Sequence, residues 1–348
     1  MLWLVYSSSK CNLSCKYCGG SWKGLPPEPV YPVEVLKEYL EAVDDEPVIV
    51  FYGGEPLLNP KFIMEVMDKI EATYGIQTNA TLHHLLPPKY WERMKNVLIS
   101  IDGPEEFNDS RRGRGTYKKA LELASKVKNL GVKRVIARMA VDEESDIYRD
   151  VKHLLSLPFT HVHWQLSVDW VPKWDLRGWA LSSYLPGIRK LAEEFKEHYL
   201  RTGELLGIIP FIALLKAYKE PWSWVPCGAG RGAYSILTDG TVVACPIAPF
   251  EGWAKAGKIY HKEPPKRFRY PEGVPCLKCE YRRYCGGRCL YWLYERFWGD
   301  EGMKEICWVT KKFVDTFFDV VGELADEMSS HEEVRSYNPL EDSTEAVP

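Results

Sequence analysis

The chain has 348 residues, 45% hydrophobic and 27% charged. That suffices for a large domain with a smaller one, or two medium ones, at ~100–200 residues each, and it excludes wholesale disorder, a collagen-like repeat and a coiled coil. Forty-five basic residues against 48 acidic give a net charge of −3, so no global field favours nucleic acid or an anionic membrane.

The amino-terminal MLWLVYSSSK has neither a charged n-region nor a small-residue cleavage site, which predicts a cytoplasmic protein. The longest apolar stretch, Leu205 to Leu215, is interrupted by Pro210 and falls short of the ~20 residues of a membrane span. Apolar runs predict strands at 2–6, 48–52, 75–78, 97–101, 132–141 and 161–166. Helical periodicity predicts helices at 33–44, 60–74, 87–94, 116–130 and 145–155 between them, and a further one at 182–201. Strands joined by helices of this length pair in parallel through right-handed crossovers. Six such units predict an α/β fold, a partial (β/α)6 TIM-like barrel over residues 1–202, with its chemistry at the strands' carboxyl ends. A connector at 203–226, a small cysteine-rich domain at 227–328 with a β-hairpin and helices, and a disordered tail at 329–348 complete the expected layout.

Ten cysteines fall in two groups: Cys11, Cys15 and Cys18, then seven between Cys227 and Cys307. A reducing compartment and a sizeable core argue against disulfides, and closely spaced thiolates select zinc, copper(I) or iron–sulfur. The first group, on the loop leaving the first strand, has three thiolates and no fourth Cys or His nearby. A structural zinc site normally has four protein ligands, whereas a three-cysteine [4Fe-4S] cluster leaves one iron open.

Cys11-x3-Cys15-x2-Cys18 with an aromatic before the third cysteine resembles the cluster motif of radical S-adenosylmethionine (SAM) enzymes. The resemblance implies that the open iron chelates the amino and carboxylate groups of SAM and that Tyr17 lies against the adenine. Later strand ends extend it. Gly53-Gly54-Glu55 is similar to the segment that binds the SAM amino group. Asn79, Ser100 and Asp102 stand where ribose or carboxylate contacts are expected, and Arg138 on the fifth strand where a carboxylate partner is expected. By themselves, Gly-Gly and Asp-Gly also read as turns and a lone strand arginine as solvent-facing. The run Arg111-Arg112-Gly113-Arg114 reads as a solvated loop ahead of a helix capped at Thr116, and Trp164, Trp170, Trp174 and Trp179 as packing between domains or as a substrate wall on the open side of the barrel.

Cys227, Gly240, Cys245, Cys276, Cys279, Cys285, Cys289 and Cys307 are spaced C-x12-G-x4-C, then C-x2-C-x5-C-x3-C, then C. The spacing alone suits a zinc ribbon as readily as a cluster. It is similar to the SPASM domain of peptide-modifying radical SAM enzymes, including anaerobic sulfatase-maturing ones, which binds two auxiliary iron–sulfur clusters. That resemblance gives Cys276, Cys279, Cys285 and Cys307 to the distal cluster, and Cys227, Cys245 and Cys289 to a nearer one with a non-cysteine fourth ligand or an open iron. Sulfatase-maturing members carry an aspartate base after the hairpin cysteine, whereas Pro246 follows Cys245 here, so formylglycine chemistry is not expected.

The implied function is reductive cleavage of SAM and radical modification of a peptide or protein side chain. The implied cofactors are SAM, one [4Fe-4S] cluster and two auxiliary clusters; the implied partners are an electron donor such as ferredoxin or flavodoxin and a separate leader-binding protein. The alternatives are a radical SAM dehydrogenase or maturase acting on a small molecule or metalloprotein, and a non-enzymatic zinc or iron–sulfur scaffold or electron carrier.

Overall fold

The computed structural model describes residues 1–19 and 22–348. Six parallel strands follow in sequence: β1 (Leu2–Ser8), β2 (Val48–Gly53), β3 (Thr73–Thr78), β4 (Met94–Ser100), β5 (Arg134–Val141) and β6 (His161–Leu166). Helices α1 (Val33–Val43), α2 (Pro60–Lys69), α3 (Pro88–Trp91), α4 (Glu105–Arg112), α5 (Thr116–Asn129) and α6 (Ile147–Leu155) occupy the crossovers. Among the described residues no helix is long and apolar enough to cross a membrane.

Alternation along the strands separates two faces. Trp3, Val5, Ile49, Phe51, Ile76, Val135, Ala137, Val162 and Trp164 join the large core under the helices. Leu2, Leu4 and Val50 form a small cluster of their own with Ala233. On β5 and β6 the opposite face carries Arg134, Arg138, His161, His163 and Gln165, and this polar wall has to find partners.

The last residues supply them, correcting the expectation of a disordered tail. Arg134 pairs with Glu333 at 2.8 Å and Asp342 at 3.1 Å. Lys95 pairs with Glu341, and Gln165 donates to the Val347 carbonyl at 3.4 Å. Ala346 and Val347 are fully buried. The Ser- and Glu-rich composition reads as solvated, yet its carboxylates are complementary to cations on the barrel wall.

After β6 come α7 (Leu176–Trp179) and α8 (Leu185–Thr202), and the expected connector is itself folded into the almost wholly buried α9 (Ile209–Lys219). The hairpin of β7 (Ala233–Ile236) and β8 (Thr241–Val243) turns at Asp239-Gly240, where Gly240 has φ 78°. Its strand β7 pairs in parallel with β1, and β9 (Lys255–Lys258) pairs with β8, so the nine strands form one sheet in the order 6-5-4-3-2-1-7-8-9. Two short helices, α10 (Arg282–Cys285) and α11 (Leu290–Glu295), and the 23-residue α12 (Gly299–Val321) carry or flank the last cysteines.

Candidate functional site

The Cys11–Cys18 loop crosses the carboxyl end of β2, and two glycines make the crossing possible. A Cβ on Gly53, whose φ is +133°, would lie 1.9 Å from the Ser8 carbonyl oxygen, and one on Gly54 would lie 2.3 Å from that of Lys10. Gly54 N and Glu55 N donate to those carbonyls at 3.0 and 2.8 Å. The glycines therefore admit the cysteine loop's own backbone, a constraint the sequence reading had assigned to a ligand.

Glu55 ends the crossing inside the protein. Its Oε1 accepts from Thr78 Oγ1 at 2.7 Å and Leu57 N at 3.0 Å, and its Oε2 from Asn79 N at 2.7 Å. Burial pushes its carboxyl up to about 7 despite these three donors. Asn79 turns its side-chain amide to Asn12 Oδ1 at 3.0 Å, tying the end of β3 to the cysteine loop.

Asp102 departs from its expected role. Its carboxylate takes Arg112 through 2.8 and 2.9 Å bonds, Tyr17 OH at 2.8 Å and Ala140 N at 3.0 Å, and it is fully buried. With both oxygens so engaged it is a structural hub, not a ribose contact. Tyr17 is correspondingly held by that bond, with Arg111 and Arg112 over its ring at 4.8 and 5.3 Å. The two arginines, expected in a solvated loop, are 2% and 8% exposed at the end of α4. Thr116 is the first residue of α5 and Gly115 takes the cap position. Burial raises the Cys15 thiol, and Arg112 acts in the opposite direction, towards thiolate.

Cys11, Cys15, Cys18, Tyr17, Gly53, Gly54, Glu55, Asn79, Ser100 and Arg138 line one cavity. Arg138 is engaged there by Glu345 at 2.5 and 2.6 Å and by His163. Sequence reasoning missed Gln77, Gln165 and Trp22 in the same wall, which Trp170 joins as its substrate-wall reading allowed. Its one accessible signal was that Gln77 and Gln165 are the only glutamines in the chain. Of the four tryptophans from β6 onward that the sequence singled out, Trp164 is core and Trp174 packs on Trp179 and Trp298, whereas Trp170 stacks edge-on to Trp22 beside the cysteine loop.

A second cavity adjoins the first and shares Tyr52, Gln77, Arg138, Gln165 and Ile247 with it; Cys227, Cys245 and Cys289 line its far side. Burial pushes Cys227 and Cys289 up to about 12 and Cys245 well up, with the neighbouring thiols adding to Cys227 and Cys245. Cys276, Cys279, Cys285 and Cys307 surround a third cavity, which also reaches Arg288 and Cys289. Burial raises Cys276 to about 12 and Cys285 to about 11, again with thiols of their own set adding to it. The seven cysteines thus divide three and four in space.

Residues 5–155 match the family model of the Radical SAM superfamily. This segment is a radical SAM domain. The radical SAM cyclopropyl synthase TigE of Paramaledivibacter caminithermalis is 28% identical over 81% of this chain and 66% of its own length. The mycofactocin maturase MftC of Mycolicibacterium smegmatis is 24% identical over 80% of this chain and 75% of its own. The solved structure of anSMEcpe with bound AdoMet has a TM-score of 0.72 at 20% identity, covering 94% of this chain and 99% of that one. The same protein has been solved with AdoMet and the Cp18Cys peptide.

The radical SAM domain's residues fit a cluster with one open iron and SAM bound to it. Three thiols line one cavity with no fourth cysteine in its wall, and Glu55 retains acceptor capacity, since a carboxylate offers about four lone-pair sites against three donors. Among the described residues no three His, Cys, Asp or Glu side chains converge tightly enough for a single metal ion. Ligands spread about a cavity suit a cage better than one zinc ion. Neutral buried thiols become thiolates when a cation binds them.

Proposed function

We propose that the chain is an oxygen-sensitive radical SAM/SPASM enzyme that modifies a peptide or protein side chain. Cys11, Cys15 and Cys18 would hold the catalytic [4Fe-4S] cluster, Cys227, Cys245 and Cys289 the nearer auxiliary cluster, and Cys276, Cys279, Cys285 and Cys307 the distal one. When bound and reduced, the first cluster would supply the electron that splits SAM into methionine and a 5′-deoxyadenosyl radical able to take a substrate hydrogen atom.

The chain's own residues bind, orient and exclude water. Glu55 accepts from the SAM amino group, with Thr78 and the Asn79 backbone fixing its oxygens. Tyr17 and Ser100 contribute wall. Trp22 and Trp170 add aromatic wall beside the cysteine loop. Gln77 and Gln165 present amides to a peptide, whose own amides they match as donor and acceptor.

The observation that carries this reading is the continuity of the two cavities. A substrate spanning them would meet the SAM site at one end and the Cys227/Cys245/Cys289 set at the other. Electrons would enter from a ferredoxin or flavodoxin through the distal set, which meets the nearer one at Cys289. A separate leader-binding protein would present the peptide, and the reducing chemistry places the protein in the cytoplasm.

The test is anaerobic incubation of the reconstituted protein with SAM, reductant and peptides encoded beside it. Formation of 5′-deoxyadenosine in step with a peptide mass change is expected. SAM cleavage indifferent to every such peptide, but driven by a small molecule, would refute the peptide assignment.

A further inference from the structure

Asp169 is a half-buried carboxylate for which the site described so far has no use. It lies three residues beyond β6 and lines the second cavity with Cys227, Cys245 and Cys289. Its Oδ1 is shut off from solvent and, like the neighbouring Trp292 Nε1, completes no hydrogen bond among the described residues. Leaving a buried acceptor unpaired costs about 1–3 kcal/mol, more for a charged group, so its retention calls for a physical reason.

Its position is enforced. The next residue, Trp170, has φ 59°, a left-handed conformation that a bulky side chain rarely adopts. Trp170 donates from Nε1 to Tyr291 OH at 3.0 Å, and its ring leaves no room for a Cβ on Gly19, which would come within 2.6 Å. The strained turn thus sends Trp170 to the cysteine loop and Asp169 to the second cavity.

The rest of the wall completes the argument. Cys227, Cys245, Cys289 and Asp169 line one space, with Arg138 and Arg288 in the same wall. The other carboxylate in the cavity wall, Glu345, already gives both oxygens to Arg138.

We propose that Asp169 is the fourth ligand of the iron–sulfur cluster held by Cys227, Cys245 and Cys289, placing a carboxylate oxygen on the iron those thiolates leave open. The inference rests on reading those cysteines as cluster ligands. Assembly releases the three thiol protons, and the carboxyl proton where present; four anionic ligands bind a doubly positive [4Fe-4S] core, and ligation transfers no electrons. Full ligation closes this cluster to substrate. The peptide then needs no thiol to dock there, and the cluster serves to pass electrons.

The test uses the full chain with Cys11, Cys15 and Cys18 replaced by alanine, reconstituted anaerobically, reduced, and probed with carbon-13 cyanide by electron–nuclear double resonance. With Asp169 in place no carbon-13 coupling is expected. D169A is expected to open the iron and acquire the coupling, and D169C to lose it again with shifted g-values, showing that the effect follows the ligand and not folding. An equal coupling with Asp169 in place, or spectra of D169A and D169C identical to the parent, would overturn the proposal. Replacing Cys276, Cys279, Cys285 and Cys307 as well isolates the nearer set. Failure of that protein to take up iron and sulfide would refute the cluster reading itself, a result distinguishable from a cluster that forms without Asp169.

Discussion

Arg138 and Glu345, 207 residues apart in sequence, meet inside the barrel through two hydrogen bonds of 2.5 and 2.6 Å. The arginine that the family resemblance offers to the SAM carboxylate is thus engaged by the chain's own tail. Arg138 lines both the cysteine-loop cavity and the one beyond it, so this pair stands at their junction.

Removing the tail's share of that pair is expected to destabilise the protein. E345Q leaves Arg138 facing His163, whose charged form is disfavoured by burial and by Arg138 itself, with no counter-charge. For a partly buried pair the cost is about 1–3 kcal/mol, read as a lower urea midpoint at unchanged slope.

Glu55 predicts a pH dependence of SAM binding. Its carboxyl is raised to about 7 by burial, so the protonated form stabilises the ligand-free fold below the ordinary carboxylate range, and that contribution is lost as pH rises through 7. Accepting from the SAM amino group requires the ionised form, because a proton on Glu55 occupies the acceptor site its three donors leave free. SAM affinity is therefore expected to fall about tenfold per pH unit below 7 and to level off above it. Calorimetry between pH 5.5 and 8.5 checks this, and E55Q is expected to bind weakly with no such slope.

Gly53→Ala and Gly54→Ala each drive a methyl into a backbone carbonyl of the cysteine loop, and neither obstacle is the end of a flexible side chain. Each is expected to cost at least about 2 kcal/mol and to lower iron uptake by Cys11, Cys15 and Cys18. Urea midpoints and iron content after reconstitution measure both effects.

The barrel strands were legible because parallel strands buried on both faces read as unbroken apolar runs, as in Val48 to Tyr52 and Val97 to Ile101. What escaped the sequence was polar. Arg111 and Arg112 look like solvated charges until Asp102 and Tyr17 are seen folded over them. The tail looks soluble until Arg134 and Arg138 meet it. Strand β7, four residues long, reveals its pairing with β1 only in three dimensions. The cysteine spacing showed that thiolates gather, while Asp169, lacking any motif, needed the cavity to be noticed.

Gln77 and Gln165, in a chain without other glutamines, both line the shared wall. Replacing either with leucine is expected to raise the peptide KM about tenfold, the worth of one lost hydrogen bond in a desolvated site. The urea midpoint should move little for Gln77 and fall modestly for Gln165, which loses its bond to the Val347 carbonyl. Steady-state kinetics of peptide turnover supply the check.

The most direct test of the central claim is the yield of 5′-deoxyadenosine from SAM under anaerobic reduction, comparing the reconstituted protein with its Cys15→Ala variant. The account predicts a brown protein that forms 5′-deoxyadenosine and a variant that forms none while retaining the iron held by the seven later cysteines. Equal yields from the two proteins, or a colourless preparation that never cleaves SAM, would contradict it.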